Sequence, residues 1–238
     1  MAVSLSNDPV GIQEILDNVD IHSENQKRFG LPSRVVAKGY LFKLIFGGTA
    51  YGYATSPDFS FVSNKEAFWQ GVIDETYNKY KGLAKWHKKL MQDVIRTGHV
   101  RTPSGREYHY KAEKKRGELV YPRTTILNYP VQGYGADLMQ VARISAWRRL
   151  RDKALFVSTV HDDLELDVEL TGNEQACYNI CIELENVFSD VKENVKKLYG
   201  WELPVPLAGE VSFGNNLKEM VEFDRRKGIE QFHSLQQN

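Results

Sequence analysis

Residues 155–168 read LFVSTVHDDLELDV, and this stretch limits the fold more tightly than any other. Leu155 to Val160 is apolar and β-branched on both faces. After the adjacent aspartates, Leu164, Leu166, Val168 and Leu170 alternate with Glu165, Asp167 and Glu169, the period-two pattern of a half-buried strand. The reading is strand, tight turn, strand. A turn uses one Asp for a side-chain to backbone hydrogen bond, so the run His161-Asp162-Asp163 carries more negative charge than turn geometry requires. Such a pair calls for a positive partner.

The rest of the chain must bury a core around that hairpin. With 238 residues, 42% of them hydrophobic and 26% charged, there is enough material for one sizeable domain or two small ones. Lys plus Arg equals Asp plus Glu at 31 each, so any basic surface arises from local distribution. Cys177 and Cys181 fall on one helical stretch, which suits reduced thiols better than a disulfide framework or a zinc site. No apolar run reaches the roughly 20 residues a membrane span needs, and the N-terminus lacks a basic segment followed by an apolar one. A cytoplasmic protein with no membrane partner is expected.

The first two-fifths read as helical. DPVGIQEILDNV spaces Ile12, Ile15, Leu16 and Val19 on one face; LPSRVVAKGYLFKLIFGG has Ser33 as N-cap and Gly47-Gly48 as terminator. Lys65 to Thr97 continues as a long amphipathic run, with a break expected near Gly82. GHVRTPSGREYHY predicts a hairpin turning at Ser104-Gly105, and the segment from Thr125 to Leu150 a helix interrupted or started at Pro130. After the central hairpin come one long helix from Asn173 to Gly200, a Pro-punctuated strand or pair of strands from Leu203, and a polar tail that is frayed or partner-bound. The expected class is α+β.

Within the second of these helices, Arg34, Lys38, Phe42 and Phe46 recur every four residues and form one stripe. Two cations held in this way grip a polyphosphate, while two rings offer a platform for a base or sugar. The alternative puts both rings in the core and leaves the cations on a solvated edge.

Arg34-x-x-x-Lys38-x-x-x-Phe42-x-x-x-Phe46-Gly47 resembles motif B of the family A DNA polymerases, the DNA polymerase I class, and Val160-His161-Asp162-Asp163 resembles their motif C. Asp20-Ile21-His22 ahead of the helix and Asn128 to Met139 between the two match the same family in the same order. The likeness runs from about Met1 to Met220. It implies a right-hand polymerase fold, here incomplete: a helical fingers subdomain over 1–115, a C-terminal palm with an antiparallel sheet over 116–220, and a tail over 221–238.

The resemblance also implies roles. Asp162 and Asp163 would be catalytic ligands of two Mg²⁺ ions, with Asp163 standing where relatives carry Glu. Lys38 would hold the phosphates near the transferred group and protonate pyrophosphate; Arg34 and His22 would bind the outer phosphates of the dNTP. Phe42 would stack on its sugar and base, Phe46 would keep a ring where relatives have Tyr, and Gly47 would let backbone approach the templating base. His161 would contact the primer end; Asn128, Gln132 and, one position out of register, Arg123 would contact primer-template DNA, the amides reading the minor-groove edge. Other readings stay open for some of these. His161 also suits a turn, His22 a first helical turn, and Asn128 and Gln132 caps around Pro130.

Motif A, which bears the second catalytic aspartate and the glutamate that bars ribonucleotides, has no match. The expectation is therefore a split DNA polymerase. A separate N-terminal chain would supply motif A, one metal-ligand set, the thumb and any 3′ to 5′ exonuclease, a division that an interrupted phage gene would suit. A non-catalytic DNA-binding or assembly subunit descended from a polymerase is the alternative.

Overall fold

The computed structural model describes residues 1–115, 117–169 and 173–237. The chain divides into two compact units, Met1–Tyr134 and Gly135–Asn238. Leu170, the last apolar position expected in the alternating strand, lies outside the described residues.

The first unit runs α1 (Ala2–Ser6), α2 (Pro9–Leu16), α3 (Ile21–Arg28), α4 (Arg34–Ile45), α5 (Ala50–Ala54), α6 (Pro57–Ser60), α7 (Glu66–Lys79) and α8 (Lys81–Thr97). Two short hairpins follow, β1 (His99–Arg101) with β2 (Glu107–His109) and β3 (Glu113–Lys115) with β4 (Glu118–Val120), and then α9 (Arg123–Leu150) begins. Side chains start several of these helices where the sequence places a capping residue: Asp8 accepts from Gly11 N–H, Asp20 from Ser23 N–H and Ser33 from Val36 N–H. Beyond α4 the backbone turns through Gly47 at φ 87°. Thr124 Cα and Leu127 Cδ1 of α9 would each stand 3.2 Å from a Cβ there, so glycine also makes room for α9.

An aromatic core orients α4. Trp69 stacks on Tyr40 at 5.9 Å and on Tyr53 at 5.1 Å, and Phe59 meets Tyr53 edge-on. Each buried polar tip has a partner: Tyr40 Oη lies 2.8 Å from Thr76 Oγ1, Tyr53 donates to Tyr40 C=O, and Trp69 donates to Ser63 C=O. With Ala37, Tyr40, Leu41 and Leu44 committed inward, helical periodicity turns Arg34, Lys38 and Phe42 outward.

The break between α7 and α8 falls at Tyr80, two residues before the expected Gly82. Tyr80 is held there by a hydrogen bond to Glu14, which also pairs with Lys79 at 2.8 Å, while Lys79 donates to Asn25. Gly82 serves a different purpose. Its N–H and that of Leu83 reach buried Asp8 at 2.6 and 3.1 Å, and a Cβ would fall 2.6 Å from Asp8 Cα. Gly82→Ala is therefore expected to lose about 3 kcal/mol in urea unfolding, through overpacking and the stretched Asp8 bonds.

Buried His87 on α8 contacts the Tyr77 hydroxyl at 3.0 Å. Burial, aided by the charge of Arg123, pushes its pKa from 6.5 down to about 4. The unfolded chain binds this proton first, so His87 contributes its full stability above pH 6.5 and loses it as the pH falls towards 4. The loss amounts to about 3 kcal/mol. Urea midpoints measured across that window should fall in the wild type and flatten in His87→Leu.

Pro130 neither starts nor interrupts α9, contrary to the reading from sequence; the helix runs from Arg123 to Leu150 through it. The missing N–H costs one bond to Ile126 C=O, offset where Ile126, Leu127, Val131 and Tyr134 are all buried. Asn128 and Gln132 are thus interior helical residues and not caps.

The second unit holds the rest of α9, β5 (Leu155–Val160), β6 (Asp163–Asp167), α10 (Glu174–Ser189), α11 (Val191–Tyr199), β7 (Ser212–Phe213), β8 (Val221–Glu222) and a 3-10 helical segment (Arg225–Gln237) broken by a kink at Gly228. The single helix expected from Asn173 is two, parted at Asp190, whose carboxylate pairs with Arg149 at 2.5 Å. Most of the expected strand from Leu203 is unpaired: Pro204 and Pro206 offer no N–H, and only Ser212–Phe213 pairs, with Val221–Glu222. The tail does not fray over 225–237. Phe232 is 1% exposed, 4.4 Å from the Phe213 ring, and Arg225 pairs with Glu185. The α+β expectation holds in coarse form, as a mostly helical chain with four two-stranded antiparallel sheets among the described residues. No helix among them is long and apolar enough to cross a membrane.

Candidate active site

In the first unit the candidate residues lie on α3 and α4. Arg34, Lys38 and Phe42 share the outward face of α4, and Phe42 is 45% exposed, which excludes it from the core. Lys38 Nζ lies 5.8 Å from the Phe42 ring centroid and makes no ion pair among the described residues. His22 enters from the first turn of α3, its ring 6.0 Å from that of Phe42. The Asp20 cap fixes this turn, so His22 does both things open to it: it is a first-turn residue and it faces the stripe.

Charge in this cluster is arranged for an anion. Burial, then the nearby Arg34 and Lys38 cations, lowers the His22 pKa, while Asp20 opposes them. Its Nδ1 is buried without a hydrogen-bond partner, a polar atom able to accept or donate to an added group. Asp20 Oδ2 receives Arg34 Nε at 2.8 Å, and this contact holds the carboxyl well below the usual carboxylate range and raises the guanidinium further. Phe46 is half-buried at the end of α4 and Gly47 is buried, so both lie off the exposed part of the stripe.

Three residues expected to touch DNA lie on α9. Asn128 and Gln132, four apart, share one helix face; Gln132 is exposed, and Asn128 Oδ1 is buried with no hydrogen-bond partner. Arg123 has another occupation, a hydrogen bond to the Tyr77 hydroxyl that counters the rise burial imposes on its pKa.

In the second unit the candidate residues lie on the β5–β6 hairpin. Val160 pairs with Asp163 across a two-residue turn of His161 and Asp162. His161 has φ 54°, the sign the primed hairpin turns demand, at a cost of about 1–2 kcal/mol for a residue with a Cβ. Asp162 and Asp163 are both exposed, and neither carboxylate is in an ion pair among the described residues. The described residues supply no positive partner for them.

Two neighbouring hard-oxygen groups open to solvent fit Mg²⁺, which keeps several waters and is bound through one or two carboxylates together with substrate phosphates. No group of three or more His, Cys, Asp or Glu converges as a metal cage among the described residues. Beside the turn, the sheet has a free edge. Among the described residues β5 pairs only with β6, its Val157 is bulged out of register, and Leu155, Val157 and Val160 are exposed. A groove lined by Ile144, Trp147, Phe156 and Val157 runs alongside.

Reading the sequence missed Asp20 as part of the site. Its signal was present in the Asp-Ile-His run, but the pairing with Arg34 spans 14 positions and follows no helical period.

Comparison with known proteins matches residues 1–219 to the model of DNA polymerase family A. DNA polymerase I of Pseudomonas aeruginosa is 28% identical over 215 residues, covering 85% of this chain and 22% of that protein. The thermostable DNA polymerase I of Thermus aquaticus is 28% identical over 223 residues, 89% of this chain and 25% of its own. In structure, the POL domain of Pol1 from M. smegmatis, solved in complex with DNA primer-template and dNTP, superposes with a TM-score of 0.67 at 22% identity. That likeness is one of fold and covers 87% of this chain and 35% of the other. The chain spans between 22% and 25% of the length of these polymerase I relatives.

Proposed function

The chain belongs to DNA polymerase family A, and from that premise we propose that it is the nucleotide-binding and C-terminal catalytic part of an enzyme that extends a DNA primer along a template. The observation that carries this is the exposed face of α4, where Arg34, Lys38 and Phe42 stand with the His22 ring against Phe42. Arg34 and His22 bind the outer phosphates of a dNTP, Phe42 covers its sugar and base, and Phe46 keeps a ring at the end of the helix. Lys38 holds the phosphates near the transferred group and gives a proton to the departing pyrophosphate. In this reading residues 1–115 are fingers, 116–220 C-terminal palm and 221–238 a tail. Gln132 and the unpartnered Asn128 Oδ1 read the minor-groove edge of the primer-template, to which Arg123 contributes more weakly given its bond to Tyr77, and Gly47 lets backbone approach the templating base.

Asp162 and Asp163 hold Mg²⁺ at the hairpin tip, and His161, in its strained turn, meets the primer end. Bound there, Mg²⁺ would activate the primer 3′ hydroxyl and neutralise charge on the triphosphate. The remaining ligand set comes from a part carrying motif A, whose strand pairs with the free edge of β5. What supports this is that edge, with exposed Leu155, Val157 and Val160 and unpaired backbone groups beside a groove whose lining mixes Trp147 and Val157 with Arg143 and Thr159.

Primer extension with Mg²⁺ and four dNTPs tests the division. The 238-residue chain should extend only when a chain bearing motif A is added. Extension by these 238 residues alone would overturn the need for a motif A part, and DNA binding without extension once that part is supplied would mark a non-catalytic DNA-binding unit instead.

A further inference from the structure

We propose that Asp20 is a positioning residue of the nucleotide site, aiming the Arg34 guanidinium and fixing the α3 turn that presents His22. The inference rests on the reading of α4 as a triphosphate-binding helix and adds a residue that reading does not contain.

One carboxylate performs two tasks. Asp20 caps α3, accepting from Ser23 N–H at 3.3 Å and from Ser23 Oγ at 2.7 Å, and so sets the first turn where His22 lies. It also receives Arg34 Nε at 2.8 Å. A guanidinium has five donors in a rigid plane. With Nε engaged, the ring of donors cannot rotate freely, and the two terminal nitrogens are left to form the bidentate fork that grips a phosphate. The pair joins α3 to α4 where His22 and Phe42 approach to 6.0 Å, so Asp20 sets both the direction of the fork and the spacing of the anion ligands. Both partners are half-exposed, at 53% and 46% of their side-chain area, so this bond does little for global stability, as is usual for surface pairs. Its value lies in removing the rotamer freedom that an unheld Arg34 would lose on binding.

The test is equilibrium binding of dATP to the 238-residue chain, read by calorimetry. Asp20→Ser is the informative variant, because serine is as good an N-cap and keeps the α3 turn while its short side chain releases Arg34. It should melt within about 1 °C of wild type and bind dATP about five- to tenfold more weakly. Asp20→Asn, with one acceptor oxygen where Asp20 uses two, should still cap α3 but leave Arg34 Nε unheld, and so bind dATP about as weakly as Asp20→Ser. Arg34→Ala should weaken binding at least as much, and adding Asp20→Ser to it should change nothing further. Weakened binding in Arg34→Ala together with wild-type or tighter binding in Asp20→Ser would overturn the role of Asp20 and leave the α4 site standing. Wild-type binding in Arg34→Ala would remove the site itself.

Discussion

Asp162→Ala should lower primer extension by the complete enzyme about 10³-fold or more and leave its unfolding midpoint where it was. The size follows from the task. A carboxylate that holds a divalent ion on the reacting phosphate supplies several kcal/mol of transition-state stabilisation, and each 1.36 kcal/mol is about tenfold in rate. The constancy of the midpoint follows from the position: Asp162 is exposed in a two-residue turn, with no ion pair among the described residues, so its truncation stays within about 0.5 kcal/mol. Single-turnover extension and a thermal melt of the same preparation check both halves. Undiminished extension would mean that Asp162 is an ordinary turn carboxylate and that the metal lies elsewhere.

Lys38→Ala should reduce the maximal rate of incorporation about 10²- to 10⁴-fold, the usual range for loss of a positioned general acid. Lys38 is exposed on α4 and lies over the Phe42 ring, and it has no carboxylate partner among the described residues to compete with a triphosphate. Lys38→Arg separates its two duties. Arginine restores a positive charge for the phosphates but is not deprotonated in proteins, so dNTP affinity should return while the rate does not. A higher KM with an unchanged rate in Lys38→Ala would restrict the residue to ground-state binding.

What could be read from the sequence was whatever short-range periodicity and capping chemistry encode. The Ser33 cap, the inward Ala37, Tyr40, Leu41 and Leu44 and the outward Arg34, Lys38 and Phe42 all follow from a 3.6-residue repeat. The hairpin around Asp162 follows from alternation. Where tertiary contacts outweighed local signals, the reading went astray. Pro130 looked like a helix boundary because the missing N–H is visible in the sequence, whereas the burial of Ile126, Leu127, Val131 and Tyr134 around it is not. The break expected near Gly82 does fall there, at Tyr80, but the sequence does not show that Gly82 is also the point where α8 closes on Asp8, 74 positions away. The tail looked too polar to order until Phe232 found Phe213 and Phe223. Asp20 belongs with these, since only the folded chain brings it to Arg34.

The most direct test of the account is single-nucleotide incorporation on a primer-template by the chain assembled with a part bearing motif A, with Mg²⁺ present and each of the four dNTPs offered in turn. The account predicts that the primer grows by one residue with the dNTP complementary to the next template base, that EDTA stops it, and that Arg34→Ala raises the dNTP concentration required. Failure of the assembled enzyme to incorporate any dNTP, or incorporation indifferent to the template base, would contradict it.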